Sequence, residues 1–172
     1  MKTKMIFLLL VALCLTACDE TFSVSTDSEN VGNLTAAIAD FDLPAGYVPE
    51  FTTTVMGYDL AAYARGDGPG HIYLIQSEDV NDWKKLAQAL DEIVIGSGDP
   101  TTRLTVIETR PVTVRGLETT LVISDAVNSE GRAYRQAAVG FQGNGGPALL
   151  VYSESHENWD ENILNNLLTS IH

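Results

Sequence analysis

Four strand-like segments follow one another between residues 103 and 153, and the connections between them are too short for anything but hairpins. Arg103–Val114 ends at Arg115-Gly116, and Glu118–Asp125 ends at Asn128-Ser129-Glu130-Gly131. Ala133–Gln142 ends at Gly143-Asn144-Gly145-Gly146, and Ala148–Ser153 leads into the last helix. β-Branched and aromatic content favours strands, and short turns impose consecutive antiparallel pairing. Pro111 belongs at an edge or a bulge, where its missing N–H breaks no ladder.

Two other segments repeat apolar residues every 3.6 positions. In residues 80–94, Val80, Trp83, Leu86, Ala87, Leu90, Ile93 and Val94 share a helix face, with Asp79 as N-cap and Gly96 as stop. In residues 159–171, Trp159, Ile163, Leu164, Leu167, Leu168 and Ile171 do the same, and Asn158 with Glu161 resembles a capping box. Strands are expected at Thr52–Ala64 and Ile72–Ser77, parted by the turn residues Arg65-Gly66-Asp67-Gly68-Pro69-Gly70. Leu34 to Phe41 reads as a short helix or as the end of a flexible tether. The order β-β-α-β-β-β-β-α gives an α+β class, one antiparallel sheet of about six strands packed by two main helices.

The N-terminus has a different logic. Lys2 and Lys4 precede the apolar run Ile6–Leu15, ten residues long, which suits a signal peptide and is too short for a spanning helix of roughly 20 residues. Leu15-Thr16-Ala17-Cys18 then resembles the lipobox of bacterial lipoproteins. That resemblance implies cleavage before Cys18, lipidation of the Cys18 thiol with fatty chains such as palmitate, and residence at the cell membrane facing the periplasm or cell exterior. Asp19 is associated with inner-membrane retention in some bacteria. Two or more acyl chains hold a protein stably on a bilayer without a transmembrane segment. The expected organisation is a signal peptide over 1–17, a lipidated cysteine and flexible tether over 18–33, and a single domain over 34–172.

The chain has two cysteines. Cys14 leaves with the signal peptide and Cys18 is taken by lipid, so the mature domain folds without a disulfide, on its hydrophobic core alone. Loss of Lys2 and Lys4 takes the formal charge from −13 to −15. A surface this acidic repels nucleic acid and anionic head groups, which leaves the lipid anchor to supply membrane attachment.

The entry Phe41-x-Leu43-Pro44-x-Gly46-Tyr47, the antiparallel run, the closing strand Ala148-Leu149-Leu150-Val151, Trp159 and the ending Leu167-x-x-Ser170-Ile171 together resemble the Mog1/PsbP-like α/β/α sandwich. Tyr47 stands where such entries often carry Trp. The resemblance implies an accessory or binding role. No functional residue of the family matches a motif here, and none is carried over.

Catalytic signatures are missing: the chain contains no G-x-S-x-G, no G-x-x-x-x-G-K-[ST], no H-E-x-x-H and no C-x-x-C. His156 and Asp160, with Glu157 and Glu161, are metal-ligand candidates if they share helix faces at i,i+4 spacing, set against acids that simply complement a helix dipole. Arg110, Arg132 and Arg135, with Arg103 and Arg115, are candidates for an anion site, set against pairing with Glu108, Glu118 and Glu130. Gly143-Asn144-Gly145-Gly146 lacks the following Lys and helix that phosphate binding needs, and reads as a turn. Arg65-Gly66-Asp67, an adhesion-type tripeptide, reads as a turn too. Tyr58, Tyr63, Tyr73 and Tyr134 read as sheet packing or as a recognition patch. No cofactor is expected. The chain is therefore expected to be a non-catalytic lipoprotein that binds an envelope protein; the alternatives are a small-ligand or metal-binding lipoprotein and an enzyme of unrecognised type.

Overall fold

The computed structural model describes residues 23–66, 68–77, 83–94, 104–127 and 131–172. The segment expected to be a signal peptide, Cys18, Asp67, Asp79, Val80, Gly96, Arg103 and residues 128–130, expected to be a turn, lie outside them. In chain order the elements are β1 (Ser23–Ser25), α1 (Ser28–Ile38), β2 (Tyr47–Val55), β3 (Tyr58–Arg65), β4 (His71–Gln76), α2 (Trp83–Val94), β5 (Thr105–Val114), β6 (Leu117–Val127), β7 (Ala133–Gln142), β8 (Pro147–Ser155) and α3 (Glu161–Ser170). The strands form one sheet in the order β1-β2-β3-β4-β8-β7-β6-β5, and every neighbouring pair is antiparallel.

Alternate residues of a strand point to opposite faces, and here both faces are apolar, so the sheet has to be covered twice. On one face Tyr63, Ile72, Leu74, Leu121, Ile123, Val139, Leu150 and Tyr152 meet Val31 and Ile38 of α1 and Leu164, Leu167 and Leu168 of α3. On the other, Leu60, Ile75, Leu149 and Val151 meet Leu86 and Ala89 of α2. The result is a three-layer α/β/α sandwich. Helices α1 and α3 are tied behind their C-termini by a reciprocal backbone pair between Asp40 and His172.

Four expectations change. The sheet has eight strands, not about six. The single strand expected over Thr52–Ala64 is a hairpin, because Met56 and Gly57 both take positive φ, 51° and 77°, and reverse the chain in two residues. The flexible tether expected over 18–33 is folded from Ser23 onward. Ser23–Ser25 adds a strand to β2, and Asp27 caps α1 by accepting from the N–H of Glu29 and Asn30 at 2.9 and 3.2 Å. Finally α3 begins at Glu161 with Asp160 as its N-cap, so Asn158 and Glu161 form no capping box. Of the apolar face expected there, Leu164, Leu167 and Leu168 are buried on α3 and Ile171 just behind it, while Ile163 is partly buried and Trp159, also partly buried, precedes the helix.

Candidate functional site

One row of residues crosses the α1–α3 face at the end of the sheet where β3, β6 and β8 finish. Register sets Tyr47 opposite Arg65, Glu154 opposite Arg135, Arg135 opposite Asp125, and Asp125 opposite Thr105. Gly70 holds the β4 place in this row, one step beyond the pair His71↔Ser153. Paired residues share a face, so the charges alternate in sign from Arg65 to Asp125 across four strands.

Glu154 follows Leu150 and Tyr152 in the period of two, which carries a carboxylate into a core position. It is fully buried. Burial of a carboxylate is tolerable only with close partners. Glu154 accepts from Arg65 Nη1 at 2.9 Å, from the Tyr47 hydroxyl at 3.2 Å and from the Ser155 N–H at 2.8 Å. Arg65 reaches it because Gly70, between them, has no side chain: a Cβ there would overlap Glu154 Oε2 and stand 2.7 Å from the Tyr47 hydroxyl.

Asp125 is the second node. It accepts from Arg135 Nε and Nη2 at 2.8 and 3.1 Å, a forked arrangement, and lies 3.1 Å from His156 Nε2. The Arg135 guanidinium also sits 5.6 Å from the ring centre of Trp159, which stacks on Tyr152 at 5.0 Å. Arg110 on edge strand β5 bonds Glu108 and Glu161, both at 3.0 Å. Hydrogen bonds from Arg135 hold the Asp125 carboxyl below the usual carboxylate range, and the bonds to Glu161 and Asp125 raise the two guanidinium groups Arg110 and Arg135. Burial pushes the Tyr47 and Tyr152 phenols up. Each of these shifts holds its group in the protonation state it already has at pH 7: Asp125, Arg110 and Arg135 charged, the two phenols neutral.

The structure thus gathers Arg110 and Arg135 on one surface, each already held by carboxylates. Arg132 is exposed one residue before β7 and also has a partner. Arg115 lies at the opposite end of the sheet, donating to the Gln142 carbonyl and to Asn144. His156 and Asp160 are separated: residues 156–158 form a turn, His156 faces Asp125, and Asp160 caps α3. Among the described residues no group of three His, Cys, Asp or Glu is placed to hold a metal ion. The glycine turn spends its N–H groups internally, Gly143 on Gly146, Asn144 on the Ile38 carbonyl and Gly145 on Gln76, which leaves no cradle for an anion. Tyr63 is buried against Thr35, while Tyr58, Tyr73 and Tyr134 are half-buried in the sheet. An open groove of about 480 Å³ between residues 42–45 and α3 is lined by Asp42, Ile163, Asn166, Thr169 and Ser170 among others, and Asp42 is its one titratable side chain.

Glu154 and Asp125 escape the reading by motif, and Arg65, expected in a turn, is instead the last residue of β3. One signal for Glu154 was present: an acid at the buried phase of an otherwise apolar strand.

No protein-family model matches the chain, and no curated protein matches it. Among solved structures it is similar to the solution structure of cyanobacterial PsbP (CyanoP) from Synechocystis, at 10% identity and a TM-score of 0.40, covering 91% of this chain and 95% of that one. The three-layer arrangement rests on the register and burial described above.

Proposed function

We propose that this chain is a lipid-anchored bacterial envelope protein with a Mog1/PsbP-like domain, acting by binding rather than catalysis, with the Arg135–Trp159 end of its sheet turned away from the membrane. One observation carries the orientation: the chain enters the sheet at Ser23, opposite Thr54, at the end remote from the charged row. Along β3 the row lies six residues on from Asp59, the partner of Thr54, which is roughly 20 Å at strand rise. The anchor itself is read from Leu15-Thr16-Ala17-Cys18. Among the described residues no helix is long and apolar enough to cross a membrane. The row's charges are spent on one another, Arg65 on Glu154 and Arg135 on Asp125, an arrangement suited to a fixed recognition surface.

Mass spectrometry of the membrane-extracted protein tests the anchor: the expected mass carries a diacylglyceryl group on Cys18, and an unmodified sulfur overturns the reading. Affinity capture from detergent-solubilised membranes tests the role. An envelope protein recovered with the natural chain and lost with Arg135→Ala supports it; equal recovery with both moves the binding surface elsewhere.

A second reading, a small polar ligand at the same end, is favoured by the Trp159 indole N–H, which is buried without a hydrogen-bond acceptor. A thermal-shift screen of carboxylates and carbonyl compounds tests it, with the Arg132→Ala, Arg135→Ala double variant as the control that should abolish any shift.

A further inference from the structure

Two hairpins of this sheet turn on the same backbone device, a non-glycine residue followed by glycine, both at positive φ. They are Met56-Gly57 between β2 and β3, and Arg115-Gly116 between β5 and β6. Such turns favour Asn or Asp at the first position, whose short polar side chains tolerate the left-handed region. Arg115 is held there by its hydrogen bonds to Gln142 and Asn144. Met56 has no comparable support. It is the most exposed large apolar residue of the described chain, at 83%, on a long unbranched side chain that gains nothing from water.

Its position is what gives it meaning. Ser23 pairs with Thr54, two residues from Met56, and β1 runs from there away from the tip, so Ser23, the first described residue, lies at the tip's end of the sheet. Cys18 is five residues before Ser23, which spans at most about 17 Å when fully extended. A bilayer-embedded Cys18 therefore holds the β2–β3 tip at the lipid surface. Val24, the exposed apolar residue of β1, lies beside it, opposite Thr53. The nearest acid along the hairpin, Asp59, is tied by the Thr54 hydroxyl at 2.6 Å.

We infer that the β2–β3 hairpin tip is a second membrane contact, in which Met56 inserts into the interfacial region of the bilayer and fixes how the domain stands on it. The occupant of this apolar tip is a lipid surface, chosen by the length of the chain that joins Ser23 to the anchor. The inference rests on the lipid-anchor reading. Alone, one methionine binds membrane weakly; beside an acylated cysteine it adds to an attachment already made.

The test uses the full, lipidated chain in phosphatidylcholine vesicles, after mass spectrometry has established the modification on Cys18 and flotation has established attachment. With Cys18 acylated, Met56→Cys supplies a single free thiol for a nitroxide label, and Glu157→Cys supplies one at the distal end. The Met56 label should be several-fold more accessible to oxygen than to an aqueous nickel quencher, relative to the Glu157 label. In the unsubstituted protein Met56 is the one methionine left after cleavage before Cys18. Peroxide should then oxidise it several-fold more slowly than a free methionine peptide in the same suspension. Equal quencher access at both labels, with Met56 oxidised at the free rate, overturns the inference while the anchor stands; an unmodified Cys18 overturns both.

Discussion

The space left by Gly70 is what lets Arg65 and Glu154 meet, and that contact is what makes Glu154 tolerable in the core. Gly70→Ala forces the carboxylate or the Tyr47 ring to move in a region without slack, because Tyr47 and Tyr152 already pack edge-on at 6.4 Å. The expected cost is about 2–4 kcal/mol, the range for an overpacked site that also breaks a buried ion pair. Gly68→Ala is the control: its Cβ would meet only the flexible Arg65 side chain, at 3.6 Å, and Asn158 at 4.0 Å. Urea denaturation of the pair at neutral pH should separate them clearly, and equal midpoints would remove the role assigned to Gly70. Asp125 makes a different prediction. Its carboxyl is held below the usual range by Arg135, so folding favours the charged form. The stabilisation is present above the pKa of an unfolded aspartate, about 3.9, and is lost as pH falls through the lower folded value. Asp125→Asn should therefore cost about 1 kcal/mol at pH 7, and the difference from the natural protein should shrink towards zero near the acid end of that window. A difference that stays constant on acidification would show that Asp125 acts by shape and not by charge.

At the scale of elements, the sequence was legible where turn chemistry and periodicity agreed. Arg115-Gly116 and the 143–146 glycines mark hairpins, and the four strands β5 to β8 sit within a few residues of expectation. The apolar face of α3 was legible because Ile163, Leu164, Leu167 and Leu168 obey one period. Two elements were wholly or partly hidden for physical reasons, α1 being legible only as a short helix from Leu34. Helix α1 has a polar composition and needs only Val31, Thr35 and Ile38, spaced by four and three, to dock; its stability comes from packing on β2 and β3 more than from propensity. The β2–β3 turn was hidden because methionine is not a turn residue, and a strand reading runs straight through it. The charged row was illegible for a third reason: its four charged members come from four strands and become neighbours only through register. Met56 then yields a prediction of its own. Met56→Asn supplies the side chain the turn prefers and should stabilise the domain by about 0.5–1 kcal/mol in urea. A loss of stability would mean that the thioether packs on the domain after all.

The whole molecule joins two hairpin systems, β1–β4 and β5–β8, through a single seam in which β4 pairs with β8. The seam is also where the sheet is covered on both faces. Ile72, Leu74, Leu150 and Tyr152 lie under α1 and α3, and Ile75, Leu149 and Val151 lie under α2. Away from it the cover thins. The first half of β5, from Thr105 to Thr109, is exposed throughout at a sheet edge interrupted by a bulge near Ile107. Opening free energies in a native protein follow this kind of gradient, since an opening that spares buried apolar area costs little. Amide exchange under native conditions should therefore be slowest in β4 and β8, intermediate in β3 and β7, and fastest in β5, with Leu74 and Leu150 exchanging only through global unfolding. Because the seam closes a loop of some seventy residues between Gln76 and Ala148, it forms late on contact-order grounds. Leu150→Ala should then cost about 2–5 kcal/mol and appear mainly as faster unfolding. Exchange in β8 as fast as in β5, or a Leu150→Ala effect confined to the folding rate, would mean that the sheet is held together elsewhere than at the seam.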